Sequence, residues 1–184
     1  MSSDHPDESL THPAQRIRTA IERSVRALEL RPQMGCGTAV TGARLDEGLR
    51  CTVTEGSWTF AVDMSPKVGG EGVAPNPGVF ARGALASCLT IGYAMWAARL
   101  GVDVGGIEVR VEADYDVRGE LGVGDGRPGY TELRYSVTLE AAPGVSEADI
   151  QRILDLADRH SSLRDVFSLG VPLRRVDPLP GGTP

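Results

Sequence analysis

Cysteine and histidine are scarce in this chain of 184 residues, with three of each. The histidines are His5, His12 and His160, and none stands at metal-ligand spacing from a cysteine, so no metal site is expected and no cofactor is implied. The odd cysteine count (Cys36, Cys51 and Cys88) speaks for free thiols in a reducing compartment rather than a disulfide framework. Positive charge is not concentrated. The net charge is -6, and Arg16, Arg18, Arg23 and Arg26 are spread along one segment, which argues against a nucleic-acid partner. The opening residues Met1 to Glu8 are polar and acidic, so a secretory leader is not expected. There is no internal repeat and no Gly-x-Ser-x-Gly elbow. The glycines of residues 119 to 129 lie between two strand patterns, which suits a hairpin connection and not a phosphate loop. One apolar run stands out, Gly83 to Ala98, of about sixteen residues. It falls short of the ~20 residues of a bilayer span, so it reads as a core helix of a soluble, cytoplasmic protein with no membrane partner.

The rest of the chain divides by period. Residues 1–12 and 178–184 read as disordered tails around a single domain over 13–177. Ile17, Ile21, Val25 and Leu28 fall at helical spacing and predict a helix over 14–30. Strands follow at 38–45, 49–54 and 57–63, joined by turns at Asp46-Glu47-Gly48 and Glu55-Gly56, as a three-stranded meander. Trp58, Phe60 and Val62 share one face of the third strand, and Cys51 alternates onto the apolar face of the second, a core position. A long loop over 64–78 ends in Asn76-Pro77, an N-cap and first-turn pair for a helix over 77–100 that stops at Gly101. Apolar residues from Ile107 through Tyr115 to Val117 alternate with charged ones, and residues 130–141 alternate likewise, giving a long antiparallel pair. Ser146 opens a further helix, a short helical turn spans 163–167, and a last strand is expected over 171–176. The sum is an α+β fold.

Cys88 sits inside the apolar run. On physics alone it has two readings. Free cysteine is among the most buried residue types, which favours packing. A nucleophile needs a nearby cation, helix N-terminus or donor to hold the thiolate. Cys88 lies about three turns into its own helix, too deep for that helix terminus to act, so the activating group has to come from elsewhere.

The order Gly69-Gly70-Glu71-Gly72-Val73-Ala74-Pro75-Asn76-Pro77, followed by Ala84-Leu85-Ala86-Ser87-Cys88-Leu89, resembles the OsmC/Ohr family of osmotically induced and organic-hydroperoxide-resistance proteins. Asp63, the strand over 107–117 and His160-Ser161-Ser162-Leu163 extend the likeness to roughly residues 36–176. The helix over 14–30 is an addition to the family's minimal pattern. The resemblance implies curved antiparallel sheets around two central helices in an intertwined homodimer, with active sites at the subunit interface. It also implies thiol peroxidase chemistry on organic hydroperoxides. A cysteine at the position of Cys88 becomes a sulfenic acid, a second cysteine closes a disulfide, and an external thiol reductant resets the pair.

Two positions depart from that pattern. Ser161 stands where the second cysteine is expected, and Gly78 stands where the family has a glutamate that orients an arginine. The chain therefore reads as an OsmC-like branch lacking the second cysteine. A one-cysteine cycle resolved by a small thiol remains open. The alternative is a catalytically impaired stress protein that binds a small apolar ligand. Arg44, in Val40-Thr41-Gly42-Ala43-Arg44, resembles the activating arginine of the hydroperoxide-resistance branch, with Arg82 as its rival. Trp58, Phe60, Phe80 and Trp96 are the candidate apolar pocket walls.

Overall fold

Asn76 and Pro77 set the start of the central helix in the computed structural model, which describes residues 12–176. The two tail segments of the sequence reading lie outside that range, apart from His12. Helix α1 spans Pro13–Leu30. Strands β1 (Gly42–Glu47), β2 (Arg50–Glu55) and β3 (Trp58–Val62) form an antiparallel meander in that order. Helix α2 runs Pro77–Leu100, with the Asn76 side chain accepting from the Val79 N–H and Gly101 ending it at φ 69°, a left-handed value that favours glycine. Strands β4 (Val104–Tyr115) and β5 (Tyr130–Ala141) pair antiparallel, joined by a loop holding the helical turn α3 (Val117–Glu120). Helices α4 (Glu147–Arg159) and α5 (Ser162–Leu169) close the fold.

The core lies along one side of α2. Leu85, Leu89, Tyr93 and Ala97 pack with Ile153 and Ala157 of α4, and the inward face of β4–β5 covers them through Val109, Val111, Leu133 and Val137. The charged face expected on β4 points away from this core, as the alternation requires. The meander meets the rest through Phe60 of β3, whose ring centroid lies 4.9 Å from that of Phe80 on α2.

Several expectations need correction. The first strand starts at Gly42, not residue 38, and the turn falls on Gly48-Leu49, because Asp46 and Glu47 still belong to β1. Val117 is not a strand residue: Asp116 caps the turn that Val117 begins. Tyr115 does not face inward. A register irregularity between Asp114 and Tyr115 turns it out of the alternation, to 70% exposure. Cys51 is half-buried rather than core. No strand forms over 171–176. Gly170 breaks the chain direction after α5, Pro172 offers no N–H, and Val171, Leu173 and Val176 stay exposed.

The apolar helix has the bounds expected of it, and only its covering differs. It extends to 24 residues, long and apolar enough by composition to span a bilayer, but its Leu85–Tyr93 side is packed in protein. Its other side is not covered within one chain, where Val79, Ile91 and Met95 are exposed.

Candidate functional site

The loop before α2 is built around one carboxylate. Asp63 is buried and accepts from the N–H groups of Met64 (2.7 Å), Glu71 (3.1 Å) and Val73 (3.1 Å). Burial pushes its carboxyl up, and the N–H donors from Val73, Met64 and Glu71 outweigh that and hold it below the usual carboxylate range. Gly70 is required here: a Cβ would sit 2.0 Å from the Met64 carbonyl oxygen. Asp63 thus folds the Gly-rich loop back on itself and delivers Asn76 to the start of α2.

Cys88, half-buried on α2, meets the N-terminus of α5. Its Sγ lies 3.6 Å from the Ser161 hydroxyl and 3.8 Å from that of Ser162. Ser161 is buried and caps α5 by accepting from the Arg164 N–H at 3.3 Å. Its own hydroxyl proton is then free to point at sulfur. The first N–H groups of a helix have no partner inside it, and those of Ser162 and Leu163 belong to the first turn of α5, the end that meets Cys88 through the two serine hydroxyls. Burial pushes the Cys88 thiol up. The Leu163 N–H, the Ser161 and Ser162 hydroxyls and the Ser162 N–H outweigh it, leaving the thiol more acidic than an ordinary cysteine. The thiolate is therefore favoured by dipoles and hydrogen bonds delivered by a second helix, with no guanidinium among these partners.

Arg44 is not brought to Cys88 within one chain. Its side chain is 80% exposed, and its Nη2 pairs with Asp46 Oδ1 at 2.6 Å. Arg82 is placed differently. It donates to the Tyr130 hydroxyl at 2.9 Å, and that hydroxyl donates to the Gly78 carbonyl at 3.1 Å. A Cβ at Gly78 would lie 3.1 Å from Arg82 Nη1. In a single subunit, then, Arg82 is the guanidinium beside the position where the sequence pattern calls for a glutamate, and Tyr130 holds it.

The four proposed wall residues do not gather on one surface. Phe60 and Phe80 meet. Trp58 sits at the β2–β3 turn, 76% exposed. Trp96 is stacked on His160 at 5.2 Å and lies 4.3 Å under the Arg99 guanidinium. A groove of about 550 Å³ lies beside α5, lined in part by Leu85, Tyr130, Leu133, Tyr135, Arg164 and Phe167. Leu85 is one turn from Cys88 on α2. Cys36 is exposed, and neither it nor Cys51 is bonded to another cysteine. Among the described residues no group of three His, Cys, Asp or Glu side chains converges on a common point.

Sequence reasoning missed Ser162, Leu163 and the polar side chains behind them. A signal was present. On α4 the apolar positions Ile150, Ile153, Leu154 and Ala157 continue at the same spacing to Asp158, a carboxylate on an inward stripe. Tyr93 and Tyr135 face the same interior, and a buried phenol needs a partner. Asp158 takes both: Tyr93 donates at 2.6 Å and Tyr135 at 2.8 Å.

A family model described as "OsmC-like protein" matches residues 69–174, which excludes the meander. No curated protein matches the chain. Among solved structures, an OsmC-like protein from Mycoplasma pneumoniae is 17% identical and aligns over 71% of this chain and 87% of its own, with a TM-score of 0.56. A putative osmotic-stress-induced and detoxification response protein from Psychrobacter arcticus is 14% identical over 73% and 92%, TM-score 0.57. An organic hydroperoxide resistance protein OsmC from Legionella pneumophila is 15% identical over 73% and 91%, TM-score 0.53. At these identities the likeness is one of fold, and the antiparallel α+β architecture is that of OsmC-like proteins.

Proposed function

The chain belongs to the OsmC family, and from that premise we propose that it is a one-cysteine, thiol-dependent reductase of organic hydroperoxides, with Cys88 as the peroxidatic residue. The observation that carries this reading is the seating of Cys88 Sγ against the capped N-terminus of α5, 3.6 Å from Ser161. A thiolate held there attacks the terminal oxygen of R–OOH. The O–O bond breaks, the alkoxide leaves and takes a proton, and Cys88 becomes a sulfenic acid. Ser161 cannot close a disulfide. A low-molecular-weight thiol therefore attacks the sulfenic sulfur and releases water, and a second thiol frees Cys88 as the external disulfide forms. The N–H and hydroxyl donors that favour the thiolate also suit the oxygen that the sulfur gains.

The working form in this reading is a homodimer. Val79, Ile91 and Met95 on α2, with Trp58 and Phe60 on β3, are the apolar surface a second copy would cover. Such a partner is also the route by which Arg44 can reach a Cys88.

A second reading draws on the groove lined by Leu85, Tyr135 and Phe167, which suits a small apolar ligand without chemistry. One assay separates the two. Purified protein with excess dithiothreitol is given cumene hydroperoxide or hydrogen peroxide. The peroxidase reading expects Cys88-dependent consumption, faster for the organic peroxide, and abolished in Cys88→Ser. Consumption no faster than dithiothreitol alone would leave the binding reading.

A further inference from the structure

Helix α5 is eight residues long, and most of its side chains are exposed. It has little apolar burial of its own to fix where its N-terminus points. Beyond Leu163 in its first turn, which packs against the core, what ties it down is polar. Asp158, in the last turn of α4, takes the Tyr93 hydroxyl on Oδ1 at 2.6 Å and the Tyr135 hydroxyl on Oδ2 at 2.8 Å. Arg164, inside α5, donates through Nε to the same Tyr135 hydroxyl at 3.2 Å. Tyr93 is fully buried and lies on α2, as Cys88 does; Tyr135 lies on β5. Four elements are thus linked by three hydrogen bonds around the corner that carries His160 and Ser161.

We propose that Asp158, Tyr93 and Tyr135 are positioning residues, which register the N-terminus of α5 on Cys88 Sγ and so keep the Ser161 and Ser162 hydroxyls on the thiol. A hydrogen bond from a helix-start N–H weakens steeply with distance and angle, so a corner that drifts by an ångström loses its effect on sulfur. A carboxylate placed on an inward helical stripe is costly unless its partners are built around it. Here both oxygens are matched by phenols from separate elements. Burial and the Asp158 charge push both tyrosine hydroxyls up, so they remain protonated donors across the working pH range. No charged side chain hydrogen-bonds the thiol among the described residues. Among the titratable groups on the elements around it are Arg82, Tyr93 and Arg99 of α2, Tyr135 of β5, Asp155, Asp158 and Arg159 of α4, His160 at the corner, and Arg164 and Asp165 of α5.

The proposal deepens the reading of Cys88 as the reactive thiol and rests on it, but its readout does not need turnover. The full chain carrying Cys36→Ser and Cys51→Ser leaves Cys88 as the sole thiol. Its alkylation rate by iodoacetamide is followed against pH, alongside thermal melting. Tyr135→Phe and Asp158→Asn are expected to move the Cys88 midpoint up by on the order of one unit. Tyr115→Phe, at an exposed tyrosine, is expected to leave it in place. Tyr135→Phe keeps ring and volume, so it supplies a folded variant should Asp158→Asn not fold. A folded Tyr135→Phe protein with lowered melting temperature and an unmoved Cys88 midpoint overturns the proposal, since that is what a merely structural role gives. A moved midpoint in a protein without peroxidase turnover keeps the positioning and removes the enzyme reading. Turnover with an unmoved midpoint does the reverse.

Discussion

Cys88 Sγ lies 3.6 Å from the Oγ of Ser161, the residue that caps α5. The contact joins two elements that are 73 residues apart in sequence. It brings the capped start of one helix to the thiol of another, at the position where the family resemblance calls for a second cysteine.

That geometry makes Ser161 informative in two directions. Ser161→Ala removes the cap and one donor to sulfur. It is expected to cost about 1 kcal/mol in urea unfolding and to slow Cys88 alkylation at neutral pH. Ser161→Cys is expected to form a disulfide with Cys88 under mild oxidation, seen as a mass loss of two hydrogens and the disappearance of both thiols. Two persistently free thiols in that variant would mean the contact is not maintained in solution.

Acidity of Cys88 has a defined sign. Donors around its sulfur hold the thiol below an ordinary cysteine, so its alkylation rate should rise with pH to a midpoint below that of an ordinary cysteine. A cysteine in a short unstructured peptide serves as the comparison and should react with a later midpoint than Cys88.

Asp63 predicts acid sensitivity of the loop before α2. Its folded-state carboxyl lies below the unfolded value. Its contribution to stability is present above about pH 4 and is lost as pH falls through the folded pKa. Asp63→Asn should lower the melting temperature at neutral pH and flatten the loss of stability on acidification. Equal melting temperatures for variant and parent at pH 7 would remove the carboxylate from the loop's support.

Gly78 offers a gain. An added Cβ there would meet Arg82 Nη1 at 3.1 Å, the Tyr130 hydroxyl at 3.2 Å and the capping Asn76 Oδ1 at 3.3 Å, so a shift of a few tenths of an ångström is needed. Gly78→Glu puts a helix former with negative charge into the first turn of α2, beside a guanidinium. The expected gain is about 1 kcal/mol, read by chemical denaturation. A loss would mean that Tyr130 and Arg82 cannot yield the space.

The uncovered side of α2 makes a prediction about assembly. Sedimentation should give twice the 19.5 kDa chain mass, and Ile91→Glu, on that exposed face, should shift the protein toward monomer. A parent protein that sediments as a monomer at micromolar concentration contradicts the dimer.

Elements carried by local chemistry were legible in the sequence. Asn76-Pro77 and Gly101 bracket α2, Ser146 opens α4, and alternation holds over Leu133 to Leu139 of β5, because caps and period are properties of a few adjacent residues. Contacts across the chain were less so. The resemblance led to Ser161 as the partner position of Cys88. Periodicity could not show that the two serines and the Leu163 N–H would replace a cation, because a helix N-terminus acts on what lies in front of it, not on its own sequence neighbours. Arg44 was read from a local motif, and that motif sits on a meander that meets the central helix through Phe60 and Phe80. Its distance from Cys88 depends on how sheets are arranged between elements, which a motif does not encode. Asp158 was overlooked because a polar residue ending an apolar stripe resembles a helix end.

The central claim is that Cys88 is a peroxide-reactive thiol. Its most direct test is to expose reduced protein to a modest excess of cumene hydroperoxide with a dimedone-type sulfenic acid probe, then map the adduct by peptide mass spectrometry. The account predicts an adduct on Cys88, lost in Cys88→Ser and retained in Cys51→Ser. Labelling confined to Cys36 or Cys51, or no labelling at all, would contradict it.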